Sequence, residues 1–122
     1  HGMPITIRRD VRFDYLYVDD LAAIVKWFIE HPASHRAYNV CTGTPVQLSD
    51  LAKIVADVSK RNPEIAIREP GLGTEYSGDN TRMLAEMGSF RFTGFTQSIG
   101  ELYRWYDAHQ AKIDPALLRF DG

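Results

Sequence analysis

The chain has little cysteine, no long apolar run and no excess of either charge. Its single cysteine among 122 residues, Cys41, excludes an internal disulfide framework and suits the reducing cytoplasm, where we expect the protein to reside. No stretch is apolar over the length that a bilayer requires, so we expect no membrane partner. Its 14 basic and 16 acidic residues are scattered, which argues against a nucleic-acid partner. The remaining composition is typical of one globular domain spanning residues 1–122.

Four short segments have the apolar pattern of β-strands. We predict strands at residues 4–8 (PITIR), 12–18, 37–42 (AYNVCT) and 64–68 (EIAIR). The intervening Arg9-Asp10 fits a tight turn, which makes the first two strands candidates for a hairpin.

Four other segments have apolar residues at the 3.6-residue spacing of an α-helix. The predicted helices begin near Asp19, Ser49, Thr81 and Thr96, and the N-caps that we expect are Asp19 or Asp20, Ser49 and Thr96. The order β-β-α-β-α-β-α-α indicates an α/β fold with a sheet that is at least partly parallel. Large aromatic side chains on the helices indicate a partner domain outside this chain; they are Trp27, Phe28, Trp105 and Tyr106.

Catalytic and metal-binding motifs are scarce. Adjacent residues on a helix point about 100° apart, so helix capping explains Asp19 and Asp20 better than a facing carboxylate pair does. Of the four histidines, His31 and His35 are four residues apart, but the first predicted helix ends near His31-Pro32, so the two do not share a helical face and we expect no metal ion. Cys41 and Ser49 lack the neighbouring motifs that would activate them as nucleophiles. The sequence therefore offers no catalytic residue.

The stretch from Pro70 to Asn80 (PGLGTEYSGDN) is predicted to be a long loop. Its Gly71-x-Gly73 resembles half of a phosphate-binding fingerprint, but no strand-to-helix turn of the dinucleotide-binding type surrounds it. Long loops inside compact domains are often functional, so we expect residues 71–80 to take part in binding.

Four segments, in order, resemble the C-terminal part of the NAD-dependent epimerase/dehydratases, which are extended short-chain dehydrogenases/reductases acting on nucleotide sugars. The segments are DYLYVDDLA, AYNVCTGTPVQLSDLAKIV, SGDNTRMLAEMG and FTQSIGELYRWY, and together they cover nearly the whole chain. The resemblance implies a parent enzyme with a Rossmann-type half that binds NAD or NADP. This chain would then be its substrate-binding C-terminal portion, including elements that complete the Rossmann sheet.

Two family motifs do not occur in this chain. No glycine-rich turn follows a strand, and none of the six tyrosines has a lysine four residues later. In the family the first motif binds the cofactor and the second supplies the catalytic tyrosine and its lysine. The resemblance therefore implies that this chain alone binds no cofactor and is inactive, with the N-terminal Rossmann half as its partner. The resemblance does not establish whether the protein forms a homodimer or which sugar it binds.

The family's two phosphate-binding arginines are displaced. Phe13 occupies the slot of the first, with Arg12 one residue earlier, and Leu72 occupies the slot of the second. A shift of one residue along a strand turns a side chain to the other face unless a bulge intervenes. By this resemblance the candidate substrate-binding residues are Arg12, Arg68 and Glu75, with Glu75 in the slot that holds a ribose hydroxyl.

Two functions of different classes remain. The first is part of an enzyme that oxidises a sugar carbon and then epimerises, dehydrates or reduces it. The alternative is a stand-alone, non-catalytic binding or interaction module with the same elements. An upstream continuation with a glycine-rich strand-turn-helix would favour the enzyme, since resemblance of fold does not establish function.

Overall fold

The structure is a computed structural model that describes residues 2–119. Its strands are β1 (Ile5–Asp10), β2 (Arg12–Phe13), β3 (Val46–Gln47) and β4 (Ile65–Leu72). Its helices are α1 (Val18–Glu30), α2 (Leu48–Ser59), α3 (Thr81–Met87) and α4 (Phe95–Ala108), followed by single 3₁₀ turns at Gln110–Lys112 and Leu117–Arg119. Within the described residues, no helix is both long and apolar enough to cross a membrane.

A parallel pair, β1 and β4, confirms the predicted α/β class. Ile5 aligns with Ile65 and Arg9 with Glu69, but Asp10 then aligns with Leu72. Two extra residues of β4, Pro70 and Gly71, therefore form a bulge, and Gly71 has the positive φ of 79° that glycine adopts readily. The predicted hairpin of the first two strands is wrong, because β1 pairs with β4 instead of β2.

The second sheet is short and antiparallel. In it Arg12 pairs with Gln47 and Phe13 with Val46. The strand predicted at residues 12–18 thus ends at Phe13, and residues 14–17 connect β2 to α1.

The strand predicted at residues 37–42 is not formed. This segment is held to residues 79–80 by side chains: Asn39 Nδ2 donates to the Asp79 carbonyl (3.1 Å), and Asn80 Nδ2 donates to the Cys41 carbonyl (2.9 Å). An apolar run becomes a strand only when another strand accepts its backbone hydrogen bonds, and no described strand lies beside this one. The third strand is instead β3.

The core is small and draws its buried side chains from α1, α2, α3, β1 and the segment before β3. Ile24 of α1 and Met83 of α3 are fully buried, and Ile7, Cys41 and Ala52 are nearly so. The interpretation of Cys41 as a buried small residue agrees with this packing. Helix α2 packs against α4 and against β1.

The predicted N-caps are wrong. Helices α1, α2 and α4 begin after Tyr17, Gln47 and Gly94, and none of these residues makes a side-chain capping hydrogen bond. Ser49 lies inside α2, where its Oγ donates to the Asp10 carboxylate. Asp20 lies inside α1 and accepts hydrogen bonds from Thr93, so it ties α1 to the segment before α4.

Candidate functional site

The candidate substrate-binding residues meet where three segments converge beyond the carboxyl ends of β1 and β4. Phe13 bridges to Tyr76 in a parallel sense, Tyr76 N donates to Arg12 O (3.0 Å), and Asp14 N donates to Tyr76 O (3.1 Å). Strand β3 lies on the other side of β2. We call this junction of residues 12–15, 45–47 and 75–76 the Arg12 corner.

Arg12 and Glu75 are brought together in the Arg12 corner. Arg12 Nη1 lies 3.6 Å from Glu75 Oε2, and Arg12 Nη2 donates a 3.5 Å hydrogen bond to the Pro45 carbonyl. Both side chains are close to half exposed, so solvent screens the ion pair. The guanidinium is therefore positioned by the protein and still accessible to an anionic group.

Aromatic side chains cover the other face of β2. The Phe13 ring makes edge contacts with Tyr15 and Tyr76, with centroids 6.1 and 6.2 Å apart. Phe13 and Tyr76 remain exposed. Successive side chains of an extended chain point to opposite faces. This alternation places Arg12 and Glu75 on one face and Phe13, Tyr15 and Tyr76 on the other. No bulge separates Arg12 from Phe13, because the bulge lies in β4.

Asp14 organises the loop beside the Arg12 corner. Its carboxylate accepts hydrogen bonds from Thr42 N (2.8 Å), Thr42 Oγ1 and Gly43 N (2.7 Å). Burial acts to raise the pKa of Asp14, but the hydrogen bonds from Thr42, Gly43 and Gly78 outweigh it, so the pKa lies below its ordinary value. Asp14 is thus an ionised structural anchor.

Asp10 fixes the end of β1 against α2. Its carboxylate accepts hydrogen bonds from Ser49 N (3.0 Å), Ser49 Oγ (2.6 Å), Gln47 Nε2 (3.1 Å) and Val11 N (3.1 Å). Burial acts to raise the pKa of Asp10, and these hydrogen bonds lower it by more, so the pKa lies below its ordinary value. Asp10 therefore supplies, from β1, a carboxylate acceptor for an N–H group in the first turn of α2.

Arg68 lies away from Arg12 and Glu75 along the sheet. It stands on β4 between Ile67 and Glu69, which align with Ile7 and Arg9. It is exposed, beside the shallow surface formed by residues 67–72. The structure thus unites two of the three candidate residues and leaves Arg68 in the middle of β4, before the bulge.

Close packing explains two glycines of the loop predicted over residues 70–80. A Cβ on Gly73 would lie 2.6 Å from Val11 Cγ1, and one on Gly78 would lie 2.6 Å from Cys41 Sγ. Strand β4 extends into this loop as far as Leu72. Glu75 and Tyr76 are the members of the loop that reach the Arg12 corner.

The described residues do not fit a dinucleotide cofactor or a metal ion. The connection from β2 to α1, residues 14–17, contains no glycine, and α2 follows β3 directly, so neither turn offers the open backbone that a pyrophosphate needs. The connection from β4 to α3 contains Gly73 and Gly78, but side chains pack closely against both. Among residues 2–119, no group of three or more His, Cys, Asp or Glu side chains could hold a metal ion.

Sequence reasoning missed Asp10 and Asp14 as the acids that organise the region around the Arg12 corner. The available signal was their position at the ends of short strands, each beside a segment rich in backbone donors. Which donors they meet depends on tertiary contacts between residues 28 to 39 positions apart in the chain.

Comparisons with known proteins identify relatives in fold. No protein-family model matches the chain, and no curated protein matches its sequence. The solved structure of the enzyme WbmH of Bordetella bronchiseptica in complex with NAD⁺ matches 87% of this chain with a TM-score of 0.71 and 22% identity. RMD from Pseudomonas aeruginosa complexed with NADPH matches 82% with a TM-score of 0.70 and 22% identity. This chain spans 36% and 34% of those two chains, and the likeness shows a shared fold.

Proposed function

We propose that this chain is the substrate-binding C-terminal part of an NAD(P)-dependent nucleotide-sugar epimerase or dehydratase. The observation that carries the proposal is the ordered four-segment resemblance. The similarity in fold to structures that hold NAD⁺ and NADPH supports it. The parent enzyme would take a hydride from a sugar carbon and return it after the sugar has changed. The cofactor, the catalytic tyrosine and its lysine would belong to the N-terminal half.

The exposed apolar face of α1 supports the proposal that a further domain packs against this helix. Val18, Leu21, Val25 and Ile29 form an apolar stripe on one side of this helix, and all four are exposed, Ile29 by 79%. The adjoining side of the helix, turned about 100° from this stripe, buries Ile24. A helix that is apolar on two sides is typical of a layer between two packed units. The proposed occupant of the outer face is the sheet of the cofactor-binding half.

The segment 37–42 supports the same arrangement. It has the apolar composition of a strand, directly follows α1 and the turn at residues 31–36, and has no strand beside it among residues 2–119. Its partner in the proposal is the edge of the same sheet, which would accept and donate the backbone hydrogen bonds of residues 37–42. One missing sheet would thus satisfy both α1 and this segment.

Arg12 is the proposed contact for a phosphate of the substrate, and Glu75 for a ribose hydroxyl. The ion pair between them holds the Arg12 guanidinium in one direction at a point that solvent reaches. A doubly charged diphosphate is a stronger anion than one carboxylate, so it can share or replace Glu75 as the partner of Arg12. Arg68 is the proposed second cation, contacting a more distant part of the substrate along β4.

Joining the chain to its cofactor-binding half provides the test. We expect the joined protein to bind NAD⁺ or NADP⁺, as measured by isothermal titration calorimetry, and to turn over at least one member of a panel of uridine-, guanosine- and thymidine-diphosphate sugars, as detected by product chromatography. R12A should raise KM by about tenfold because it removes a charge-assisted contact of about 1.5 kcal/mol. R36A, which removes an exposed arginine outside the corner, is the matched control.

Two outcomes would count against the proposal. If the joined protein binds neither cofactor, the function as an NAD(P)-dependent enzyme is wrong. If it binds cofactor and turns over a sugar, but R12A and R36A have equal KM values, the enzyme class stands and the assignment of Arg12 fails.

A further inference from the structure

A cavity of about 690 Å³ lies at the amino ends of β1 and β4. It is open to solvent and is lined by the chain before β1, the C-terminal part of α2, the loop at residues 61–64, the C-terminal half of α4 and the first 3₁₀ turn. Its volume falls within the range of roughly 300–1,000 Å³ that is typical of small-molecule sites. The cavity is therefore large enough for an organic ligand.

The cavity and the Arg12 corner are separate sites. The cavity contacts Ile5 and Glu64, at or just before the first residues of the two parallel strands, whereas Arg12 and Glu75 follow the last residues of those strands. The six residues of β1 alone separate the two ends by roughly 20 Å, at about 3.3 Å per residue. A ligand in this cavity would thus not occupy the proposed substrate site.

The walls of the cavity combine apolar and aromatic surface. Pro4, Val55 and Ile113 contribute aliphatic groups from three different elements. Tyr103 and Tyr106 lie three residues apart on α4 and both line the cavity, so they share one side of the helix. The faces of tyrosine rings carry partial negative charge and attract cations.

The charges at the cavity favour a cation. Arg61 Nη2 faces Asp107 Oδ1 at 3.9 Å, so the cavity's one lining arginine already has an anionic partner. Glu64 is exposed at the rim, and its carboxylate makes no ion pair or hydrogen bond with any residue that the structure describes. Its backbone is fixed, because Glu64 O accepts a 2.8 Å hydrogen bond from Ile5 N. Among the described residues that line the cavity, Glu64 thus carries the one negative charge without a charged partner.

We propose that this cavity is a second ligand site, which takes an organic cation with a flat apolar body, such as an aromatic amine. The apolar body packs between Val55 and the tyrosine rings of α4. The ammonium group lies at the rim and pairs with Glu64. This recognition is independent of whether the chain serves a nucleotide-sugar enzyme.

Three probes with the same ring and different charge test the proposal on this chain. They are 2-naphthylmethylamine (cation), 2-naphthalenemethanol (neutral) and 2-naphthoate (anion), titrated while ¹H–¹⁵N amide shifts are recorded. We expect the amine to bind more tightly than the alcohol and the alcohol more tightly than the carboxylate. The shifted amides should lie in residues 4–6, 55–64 and 103–113. Equal affinities for all three probes, or amide shifts outside these residue ranges, would indicate non-specific apolar binding and overturn the proposal.

Two variants separate the contribution of the Glu64 charge to binding from that of the cavity itself. E64Q should weaken binding of the amine by about threefold to fivefold, the range expected for a partly exposed ion pair, and leave binding of the alcohol unchanged. V55W should fill the cavity and abolish binding of both. E30Q, which removes an exposed carboxylate at the end of α1, is the matched control for charge. If V55W does not fold, the E64Q result still decides: an unchanged preference for the amine would contradict the proposal.

Discussion

The carboxylate of Asp10 is the strongest polar contact between β1 and α2, and removing it is the sharpest test of the fold. Asp10 is 7% exposed and accepts four hydrogen bonds, two of them from Ser49. Ser49 N belongs to the first turn of α2, whose N–H groups have no acceptor within the helix. In D10A this buried N–H and the Ser49 hydroxyl lose their acceptor together.

The expected loss follows from the bonds that are broken. A hydrogen bond to a charged group contributes roughly 1.5–3 kcal/mol, and loss of a helix cap costs roughly 0.5–2 kcal/mol. We therefore expect D10A to lower the free energy of unfolding by about 3 kcal/mol and the midpoint of thermal unfolding by about 10 °C. D10N keeps one acceptor oxygen and the volume, so its loss should be about half as large.

Urea denaturation followed by circular dichroism at 222 nm measures these losses. D50A is the matched control, because Asp50 lies in the same turn of α2 but forms a half-exposed 2.8 Å ion pair with Lys53. We expect D50A to cost less than about 1 kcal/mol. Equal losses in D10A and D50A would refute the view that the buried acceptor anchors α2.

The same carboxylate predicts a pH dependence. The pKa of Asp10 in the folded chain lies below its ordinary value of 3.8, so ionised Asp10 stabilises the fold above that value. This stabilisation is lost as the pH falls from 3.8 towards the lower, folded-state pKa. The unfolding free energy of D10N should therefore fall less steeply with acidification below about pH 4 than that of the wild-type chain. If the unfolding free energies of D10N and the wild-type chain fall equally with pH, Asp10 is not the group that causes this dependence.

Three further substitutions test the packing. I24A removes a fully buried side chain and should lower the free energy of unfolding by about 2–5 kcal/mol in urea denaturation; a loss below 1 kcal/mol would contradict the core described above. G78A should be less stable than G94A, because its Cβ would lie 2.6 Å from Cys41 Sγ while that at Gly94 meets no atom within 4 Å; equal midpoints would refute this contact. V25K places a charge in the exposed stripe of α1 and should lower the midpoint of thermal unfolding of the joined protein, in which we propose that this face is covered, whereas an unchanged midpoint would mean that this face stays free.

Helices were predictable here because their signal is local. The short helix predicted at Thr81–Met87 matches α3, and the apolar spacing predicted the starts of the other three helices to within about a residue. The N-caps failed for a physical reason: the acid that serves the first turn of α2 is Asp10 of β1, 39 residues away from Ser49. Only the folded chain reveals that pairing.

The strand at residues 37–42 failed for a related reason. An apolar, β-branched run is a necessary condition for a strand, but pairing requires a second backbone at the right distance. The resemblance to the epimerase/dehydratases had already assigned elements of this chain to a sheet lying mostly outside it. If part of the sheet lies outside this chain, we expect residues 37–42 to lack a paired strand and the apolar stripe of α1 to be exposed, as observed.

If a substrate phosphate binds at the Arg12 corner, as we propose, the two faces of β2 predict different effects of substitution. Arg12 and Glu75 share one face, and Phe13, Tyr15 and Tyr76 share the other, where the family resemblance places its arginine. If a diphosphate lies on the aromatic face, F13R should tighten binding of nucleotide-diphosphate sugars by the joined protein, because it restores a cation there. If it lies on the Arg12 face, as we propose, F13R should leave affinity within about twofold while R12A weakens it about tenfold. Isothermal titration with both variants separates the two cases, and tighter binding by F13R together with an unaffected R12A would assign the phosphate to the aromatic face.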